Sequence, residues 1–323
     1  MARLAQRLLV SLVMAAGVVA AAAAADFPSK PVRLVVTFSP GGTLDVVARL
    51  IGAKLRDNWR QPIIIENRVG ASGAIGVDYV AKSAPDGHTL VLNAMLIVAT
   101  PQMQRTPYDV MRDLVGVIQT SEVSYMLAVS PKTGVSSIGE LVELARKNPD
   151  RLSYASGGIG SGQHLYAALV TGAAKIRLTH VPYKGNGPAL QALLAGEVDL
   201  IFDTAGAITS LAKAGKVRAL MVSGTRPYEG LPSVPPIDTV YPGMGMSIAG
   251  WHGIFAPAAT PKAIVDQIAA DVRAVVLSPD IMRRFREMGF EPTGVLSEQF
   301  GEIVRRDYER WGQLIRENNI RAD

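Results

Sequence analysis

The sequence predicts an α/β protein of two domains, on the basis of three observations. Short apolar runs alternate with segments of helical periodicity, a pattern typical of mainly parallel sheets flanked by helices. The chain has 323 residues, which at roughly 150 residues per domain corresponds to about two domains. No low-complexity linker interrupts it, so we expect the chain to cross between the domains in ordered strands.

Composition excludes several classes of protein. Hydrophobic residues make up 48% of the chain and charged residues 19%, so wholesale disorder is excluded. The chain has no cysteine, which excludes disulfide scaffolds, thiolate zinc sites, iron–sulfur clusters and cysteine nucleophiles. The formal charge of +5 is small and evenly spread, so it does not indicate a nucleic-acid partner.

The first 25 residues read as a secretory signal peptide. Arg3 and Arg7 precede an apolar run over Leu8–Ala25, and Ala23 and Ala25 supply the small residues that signal peptidase needs. The alternative is a membrane anchor, but the second half of the run is mostly alanine, which partitions weakly into lipid. Cleavage removes two arginines and leaves an exported chain of 298 residues with a formal charge of +3.

The first elements after the leader follow a strand–turn–helix order. A buried strand over Val32–Phe38 leads through a Ser-Pro-Gly-Gly turn into a helix for which Thr43 is the expected N-cap. The apolar residues of this helix fall on one face: Leu44, Ala48, Ile51 and Leu55. A short strand at Pro62–Ile65 and a Gly-rich loop at Gly70–Gly76 precede a helix ending near Lys82.

The same alternation continues along the chain. A turn at Pro85–Gly87 opens the strand Thr89–Asn93, and Ser137 with Glu140 forms a capping box for a helix through Lys147. Further strands are expected at Leu152–Ala155, Arg177–Val181, Asp199–Phe202 and Val217–Val222. Further helices are expected at Pro188–Ala195 and Ala207–Ala214, after Thr260-Pro261, and around Phe300, Val304, Trp311 and Ile315.

The first loop of chemical interest, Ser39–Asp45, lies between a strand and a helix start. Glycines leave backbone N–H groups uncovered there, and the helix N-terminus adds partial positive charge, so the loop can bind an anion. Alternatively, Gly41-Gly42 only makes a tight turn, and Asp45 only stabilises the helix dipole.

The second loop, Ala155–His164, also leads from a strand into a helix. Its glycines alternate, so it matches neither the dinucleotide fingerprint nor the P-loop, and it lacks the nucleophile elbow. Its amides and the hydroxyls of Ser156 and Ser161 would suit a carboxylate or a hydroxyl group. An exported serine hydrolase using Ser161 and His164 stays open, although a serine at this position is more often a helix cap.

Two further strand ends carry polar groups. His180–Pro188 offers Tyr183, Lys184 and Asn186 before a helix, and Phe202-Asp203-Thr204 ends an apolar strand. Lys184 is equally well explained as a solvated loop charge. Because ligands of open α/β sheets gather at the carboxyl ends of strands, these ends together indicate one binding site. The four histidines lack metal-ligand spacing, so neither a metal site nor a cofactor is expected.

Several of these segments together resemble one protein family. The stretches Pro31–Arg49, Glu66–Arg68 with its Gly-rich sequel, and Ala84–Leu90 are similar to its opening motifs. His180–Asp203 and Gly250–Pro261 resemble its later signatures, in the expected order. The chain thus resembles the substrate-binding family of tripartite tricarboxylate transporters, known as TctC or Bug proteins, over almost its whole mature length.

The resemblance implies a two-lobed periplasmic-binding-protein fold, with two mainly parallel sheets flanked by helices. The first lobe would comprise residues 26–125 and 249–323, and the second residues 126–248. A small organic acid would bind between the lobes and then pass to membrane permease subunits, the receptor being periplasmic and monomeric. The implied ligand-binding residues are Ser39, Gly41, Gly42 and Thr43 in one lobe, and Ser156, Gly157, Gly160, Ser161, Tyr183 and Asp203 in the other.

The chain departs from the family pattern at a few positions. Thr37 and Ser39 replace the usual residues around the first-loop phenylalanine, and Val170 stands where an aromatic residue is common. Asp203 would repel an anionic ligand unless it acts through water, a ligand amine or a shared proton. A ligand sensor that docks on a signalling protein would use the same pocket, and the sequence does not separate it from an uptake receptor.

Overall fold

The computed structural model describes residues 27–240 and 250–321. The predicted signal peptide lies outside these ranges, and so does most of the predicted return to the first lobe near residue 248. The boundaries of the two lobes therefore stay predictions. None of the described helices combines the length and apolar character needed to span a bilayer.

The described strands form two sheets, one for each lobe of the expected fold. The six-stranded sheet contains β1 (Val32–Val36), β2 (Ile63–Asn67), β3 (Thr89–Ala94), β4 (Leu114–Val123), β10 (Gly250–Pro257) and β11 (Phe290–Leu296). The five-stranded sheet contains β5 (Tyr125–Val129), β6 (Ser153–Ser156), β7 (Thr179–Pro182), β8 (Leu200–Thr204) and β9 (Arg218–Val222). We call the first sheet with its helices the first lobe and the second sheet with its helices the second lobe.

Helices flank both sheets. Those of the first lobe are α1 (Thr43–Trp59), α2 (Ala74–Ala81), α3 (Leu96–Met103), α4 (Val110–Asp113), α10 (Lys262–Val276), α11 (Pro279–Glu287) and α12 (Ser297–Glu317). Those of the second lobe are α5 (Ile138–Lys147), α6 (Gly162–Ala174), α7 (Asn186–Ala195), α8 (Ala205–Lys213) and α9 (Ile237–Val240). The two-lobed α/β class expected from the sequence is confirmed.

The pairing within the sheets is more mixed than expected. The strand orders are β11-β4-β10-β3-β1-β2 and β7-β6-β8-β5-β9. Four of six strands and four of five run in one direction, but only four of the nine ladders among the described residues are parallel. The reversed strands include β5 and β10, with which the chain enters each sheet from the other lobe. Between β4 and β5 the chain crosses through Ser124 alone.

The helix starts follow the expected capping chemistry with one correction. Ser137 caps α5 by accepting a hydrogen bond from the Glu140 N–H at 3.2 Å, as the capping box predicts. Thr43 is not the N-cap of α1, because it is the first helical residue and Gly42 is the cap. The apolar face predicted for α1 is buried in the first lobe.

Aromatic side chains and closely packed backbone join the two lobes. Tyr125 stacks on Tyr166 of α6 at 4.2 Å between ring centroids, and Tyr166 meets Trp311 of α12 edge-on at 5.7 Å. Gly206 of α8 lies against the backbone of Met288 and Gly289, so closely that a Cβ on Gly206 would overlap it. The lobes therefore share packed contacts, and the contact at Gly206 lies just after the end of β8.

Candidate functional site

The first loop connects the end of β1 to the start of α1. Its backbone turns back on itself, since the Gly42 N–H donates to the Ser39 carbonyl at 3.1 Å. Gly42 has no side chain with which to cap the helix, so the first N–H groups of α1 receive no side-chain acceptor there. Ser39, Gly41 and Thr43 are exposed. The loop thus presents an uncapped helix N-terminus, which favours negative charge.

Asp45 holds this loop in place through hydrogen bonds. Its carboxylate is buried and accepts hydrogen bonds from the Gly41 N–H at 3.0 Å, the Arg49 Nε–H at 2.8 Å and the Asn67 amide at 3.0 Å. The Asn67 amide also donates to the Phe38 carbonyl at 3.0 Å, which ties β2 to the loop. The hydrogen bond from Arg49 is the main cause that lowers the pKa of Asp45 to about 2. Asp45 is therefore an ionised structural anchor, in addition to any effect on the helix dipole.

Hydrogen bonds of Ser156, Ser161 and Gln163 hold the second loop in shape. The buried Ser156 hydroxyl bonds to the ring of His180 at 2.7 Å and accepts from the Gly158 N–H at 3.1 Å. The Gly157 N–H donates to the Gln163 side chain. Ser161 is the N-cap of α6 and accepts from the His164 N–H at 3.3 Å. The loop is thereby held in one shape, with Ile159 exposed at its tip.

A stack of three rings lies behind the second loop. The His164 ring stacks on His180 at 4.2 Å, and His180 stacks on Tyr154 at 4.7 Å. Burial lowers the pKa of His164, and burial together with His164 lowers the pKa of His180 to about 4, so both rings are neutral at pH 7. His164 accepts from the Gly160 N–H at 3.1 Å through Nδ1. Ser161 meets the main-chain N–H of His164, which is not the nucleophile–base contact that a hydrolase needs.

The third loop and Asp203 complete the second-lobe half of the candidate site. The Tyr183 N–H donates to the Ser156 carbonyl at 2.9 Å, and the Gly185 N–H to the Gly157 carbonyl at 3.2 Å, which hold the second and third loops together. Gly185 is the N-cap of α7 and provides no side-chain acceptor. Two uncapped helix N-termini, those of α1 and α7, thus lie at strand ends of opposite lobes.

Asp203 is a buried carboxyl at the end of β8. It accepts from the Thr204 N–H at 2.7 Å and from the Asn186 amide at 3.2 Å. Burial raises its pKa to about 6, against the lowering effect of Thr204, Gln163 and Asn186. Asp203 therefore belongs to a polar network beneath the loops, where it can hold a proton near neutral pH.

The structure groups the predicted residues in two sets, one in each lobe. No hydrogen bond joins the first loop to the second within residues 27–240 and 250–321. The link is α3, whose Met103 side chain lies 3.0 Å from the position a Cβ on Gly160 would take. A cavity of about 700 Å³ between α3 and α12 is lined in part by Met103 but by none of the predicted site residues.

Sequence reasoning missed three of the four residues that hold the site and noted the fourth, Asn186, only as a loop donor. Asn67 and Met103 contact the site from the first lobe, and Gln163 and Asn186 contact it from the second. Asn67 and Asn186 lie within segments that the sequence analysis singled out. Each has a side-chain amide that adjoins a glycine-bearing loop, and this position was the signal that could have identified them. Met103 and Gln163 carried none, because their contacts depend on how distant helices pack.

A two-lobed α/β fold with glycine-bearing strand ends in both lobes is the architecture of solute-binding receptors. The chain belongs to the family described as the tripartite tricarboxylate transporter family receptor, whose model, TctC, matches residues 47–320. It is 36% identical over 298 residues to a protein in the tcbD-tcbE intergenic region of Pseudomonas sp. strain P51, covering 92% of this chain and 89% of that one.

Two solved structures from Rhodopseudomonas palustris are similar over nearly their whole length. Rpa4515 with adipate shares 34% identity at a TM-score of 0.80, covering 92% of this chain and 99% of the other. MatC with bound malate shares 30% identity at a TM-score of 0.76, covering 90% and 100%. Both the fold and the family expected from the sequence are confirmed.

Proposed function

We propose that this receptor captures a small carboxylate between its two lobes and delivers it to membrane permease subunits. The observation that carries the proposal is the pair of uncapped helix N-termini at Gly42 and Gly185, one in each lobe. Such N-termini bind carboxylates through backbone N–H groups without a buried cation. The relatives bound to adipate and malate support a carboxylate ligand.

Closure follows from a ligand that touches both lobes. A carboxylate held by α1 on one side and by the second and third loops on the other binds the closed arrangement more tightly than an open one. The predicted signal peptide and the family support a periplasmic location, where such a receptor would meet its permease. Release of unchanged ligand, without catalysis, completes the proposal.

Thermal shift and calorimetry of the purified chain against mono-, di- and tricarboxylates test this function. We expect at least one acid to raise the melting temperature and to be recovered unchanged by NMR. Gly42→Ala, which places a methyl group 3.1 Å from the Ser39 carbonyl oxygen beside the α1 N-terminus, should lower that affinity about tenfold. The control Gly301→Ala, with no neighbouring atom within 4 Å, should leave it unchanged. Turnover that is lost in Ser161→Ala would instead establish the hydrolase.

The transport role has its own test. Cells lacking this receptor should lose uptake of the labelled acid, and expression of the intact chain should restore it. Unchanged uptake, together with a growth response that depends on a signalling partner, would favour a sensor over a transport receptor.

A further inference from the structure

The cavity between α3 and α12 is separate from the proposed carboxylate site. Its lining includes none of the residues predicted from the sequence to bind the carboxylate. Buried residues of the hydrophobic core form part of its wall, among them Tyr108, Ile315 and Ile320. Its volume of about 700 Å³ lies within the range of small-molecule sites, about 300–1,000 Å³. The cavity is therefore large enough to hold a small molecule of its own.

Three arginines from separate segments line this cavity, which we call the arginine cavity. Arg105 follows α3, Arg316 lies in the last turn of α12, and Arg321 follows that helix. All three residues are exposed. Within residues 27–240 and 250–321, none of their guanidinium groups forms an ion pair or donates a hydrogen bond to another residue. Their donors are thus available to a ligand.

The lining carries more positive than negative charge. Asp109 is the one acidic residue among the described residues of the wall. Its carboxylate caps α4, where it accepts from the Met111 N–H at 2.9 Å and from the Arg112 N–H at 3.2 Å. Three guanidinium groups against one carboxylate leave an excess of two positive charges in the arginine cavity.

A glycine leaves the space in which Arg316 lies beside α3. The Arg316 Nη1 is 3.1 Å, and the Gln102 Oε1 is 3.0 Å, from the position that a Cβ on Gly312 would take. Gly312 is buried one turn before Arg316 in α12. The side chains of Arg316 and Gln102 therefore approach the same point on α12, and both line the arginine cavity.

This arrangement favours an anion with more than one charge. A cleft with one sign of charge and walls of low dielectric constant concentrates the electrostatic field, and guanidinium donors match carboxylate and phosphate oxygens in pairs. A single negative charge would compensate only half of the excess. The dipole of α12 also favours Arg316 near its C-terminus, but this effect does not require Arg105 and Arg316 to line one cavity.

We infer that the arginine cavity is a second binding site, for a small oxyanion with two or more negative charges. Arg105, Arg316 and Arg321 would donate to the oxygens of this anion, while the buried wall excludes water from one side. The oxyanions of this chemistry are polycarboxylates and phosphate compounds. The inference does not depend on the proposed capture of a carboxylate between the lobes.

Calorimetry with inorganic pyrophosphate and with citrate tests the second site. Both probes are titrated into the natural protein and into Gly42→Ala, in which the site between the lobes is weakened. We expect at least one probe to show a binding event that Gly42→Ala leaves unchanged. Its affinity should fall as NaCl is raised from about 50 to about 300 mM, because salt screens exposed charges. The tighter of the two probes distinguishes phosphate compounds from polycarboxylates.

Arg105→Gln and Arg316→Gln should each weaken this binding event about tenfold, because each removes a charge and a pair of donors. The matched control is Arg305→Gln, since Arg305 is exposed on α12 and does not line the arginine cavity. It should leave the affinity unchanged. The melting temperature without a probe should change little in all three variants, because the substituted side chains are exposed.

Two results would overturn the inference. One is that neither probe shows a binding event that persists in Gly42→Ala. The other is that Arg105→Gln and Arg316→Gln bind the probe as tightly as Arg305→Gln does. Both results would leave the proposed function standing, because the screen of carboxylates with Gly42→Ala and Gly301→Ala decides that function separately.

Discussion

Two buried aspartates of the candidate site have their pKa values displaced in opposite directions. Asp45 accepts from Gly41, Arg49 and Asn67, and these donors outweigh the cost of burial. Asp203 accepts only neutral donors, and burial outweighs them. At the residue scale, the number and charge of donors decide which carboxylate stays ionised.

Asp203→Asn should stabilise the ligand-free protein at neutral pH. The pKa of Asp203 in the folded chain is about 6, above the ordinary value of 3.8. Ionisation therefore costs stability progressively as the pH rises from about 4 to 6, and this cost reaches roughly 3 kcal/mol above pH 7. Asparagine keeps the oxygen that accepts from Thr204 without the charge. Urea unfolding of the natural protein and of Asp203→Asn between pH 4 and 8 measures the difference in the free energy of unfolding. If the stabilities of the two proteins changed in parallel with pH, the prediction would be wrong.

Asp45→Ala should destabilise the first loop. The pKa of Asp45 is about 2 in the folded chain, below the ordinary 3.8. Its contribution, roughly 2 kcal/mol, is present above pH 4 and is lost as the pH falls from about 4 to 2. Urea unfolding at pH 7 should show this loss together with weaker carboxylate binding. Asp57→Ala serves as the control and should change stability and binding little, because the Asp57 side chain is 69% exposed on the same helix.

At the scale of elements, what a glycine contributes depends on its own backbone conformation and on the element that packs against it. Gly160 has a φ of 73°, and the Met103 Cε lies 3.0 Å from its Cβ position. Gly134, which follows the short 3₁₀ turn Pro131–Thr133, has a φ of 74° and no neighbour within 4 Å. The two glycines therefore share a backbone conformation and differ in what surrounds them.

Gly160→Ala and Gly134→Ala separate the two effects. Both should lower the free energy of unfolding by about 1 kcal/mol through backbone strain. Only Gly160→Ala should also weaken carboxylate binding, because its methyl group must displace the Met103 side chain of the other lobe. Unfolding curves and calorimetry measure the two quantities. Equal binding by both variants would mean that the Gly160–Met103 contact does not shape the site.

At the scale of the whole molecule, the two lobes contact each other through main-chain atoms at two glycines. Gly206 is the second residue of α8 in the second lobe, and Gly289 precedes β11 in the first. Each occupies the space that a Cβ on the other would need. In a helix, alanine is otherwise preferred over glycine. Any loss caused by a methyl group at Gly206 is therefore due to the contact between lobes.

Gly206→Ala should hold the lobes apart without unfolding them. We expect a larger radius of gyration by small-angle X-ray scattering and about tenfold weaker carboxylate binding, because closure brings both lobes onto the ligand. Gly301→Ala in α12 has open space around it and should change neither quantity. An unchanged radius and affinity in Gly206→Ala would show that this contact does not limit closure.

Local patterns predicted much of this molecule. The apolar face of α1, the capping box at Ser137 and the strand ends that carry the second and third loops were all expected from spacing and residue type. Thr43 was a wrong choice of cap because its helix begins one residue earlier than the side-chain chemistry suggests. The strands β4, β5, β10 and β11 were not delimited beforehand, since a buried apolar run carries no period that tells strand from helix.

The sequence by itself determined the family, the α/β class and the glycine loops, because these depend on residue types at short spacing. Only the tertiary structure showed that Asp45 and Asn67 brace the first loop, and that Gln163 and Asn186 meet Asp203. It also showed that Met103 and Gly160 meet across the lobes. Such contacts join residues far apart in the chain, and their distances depend on how whole helices and sheets pack, which no local pattern encodes.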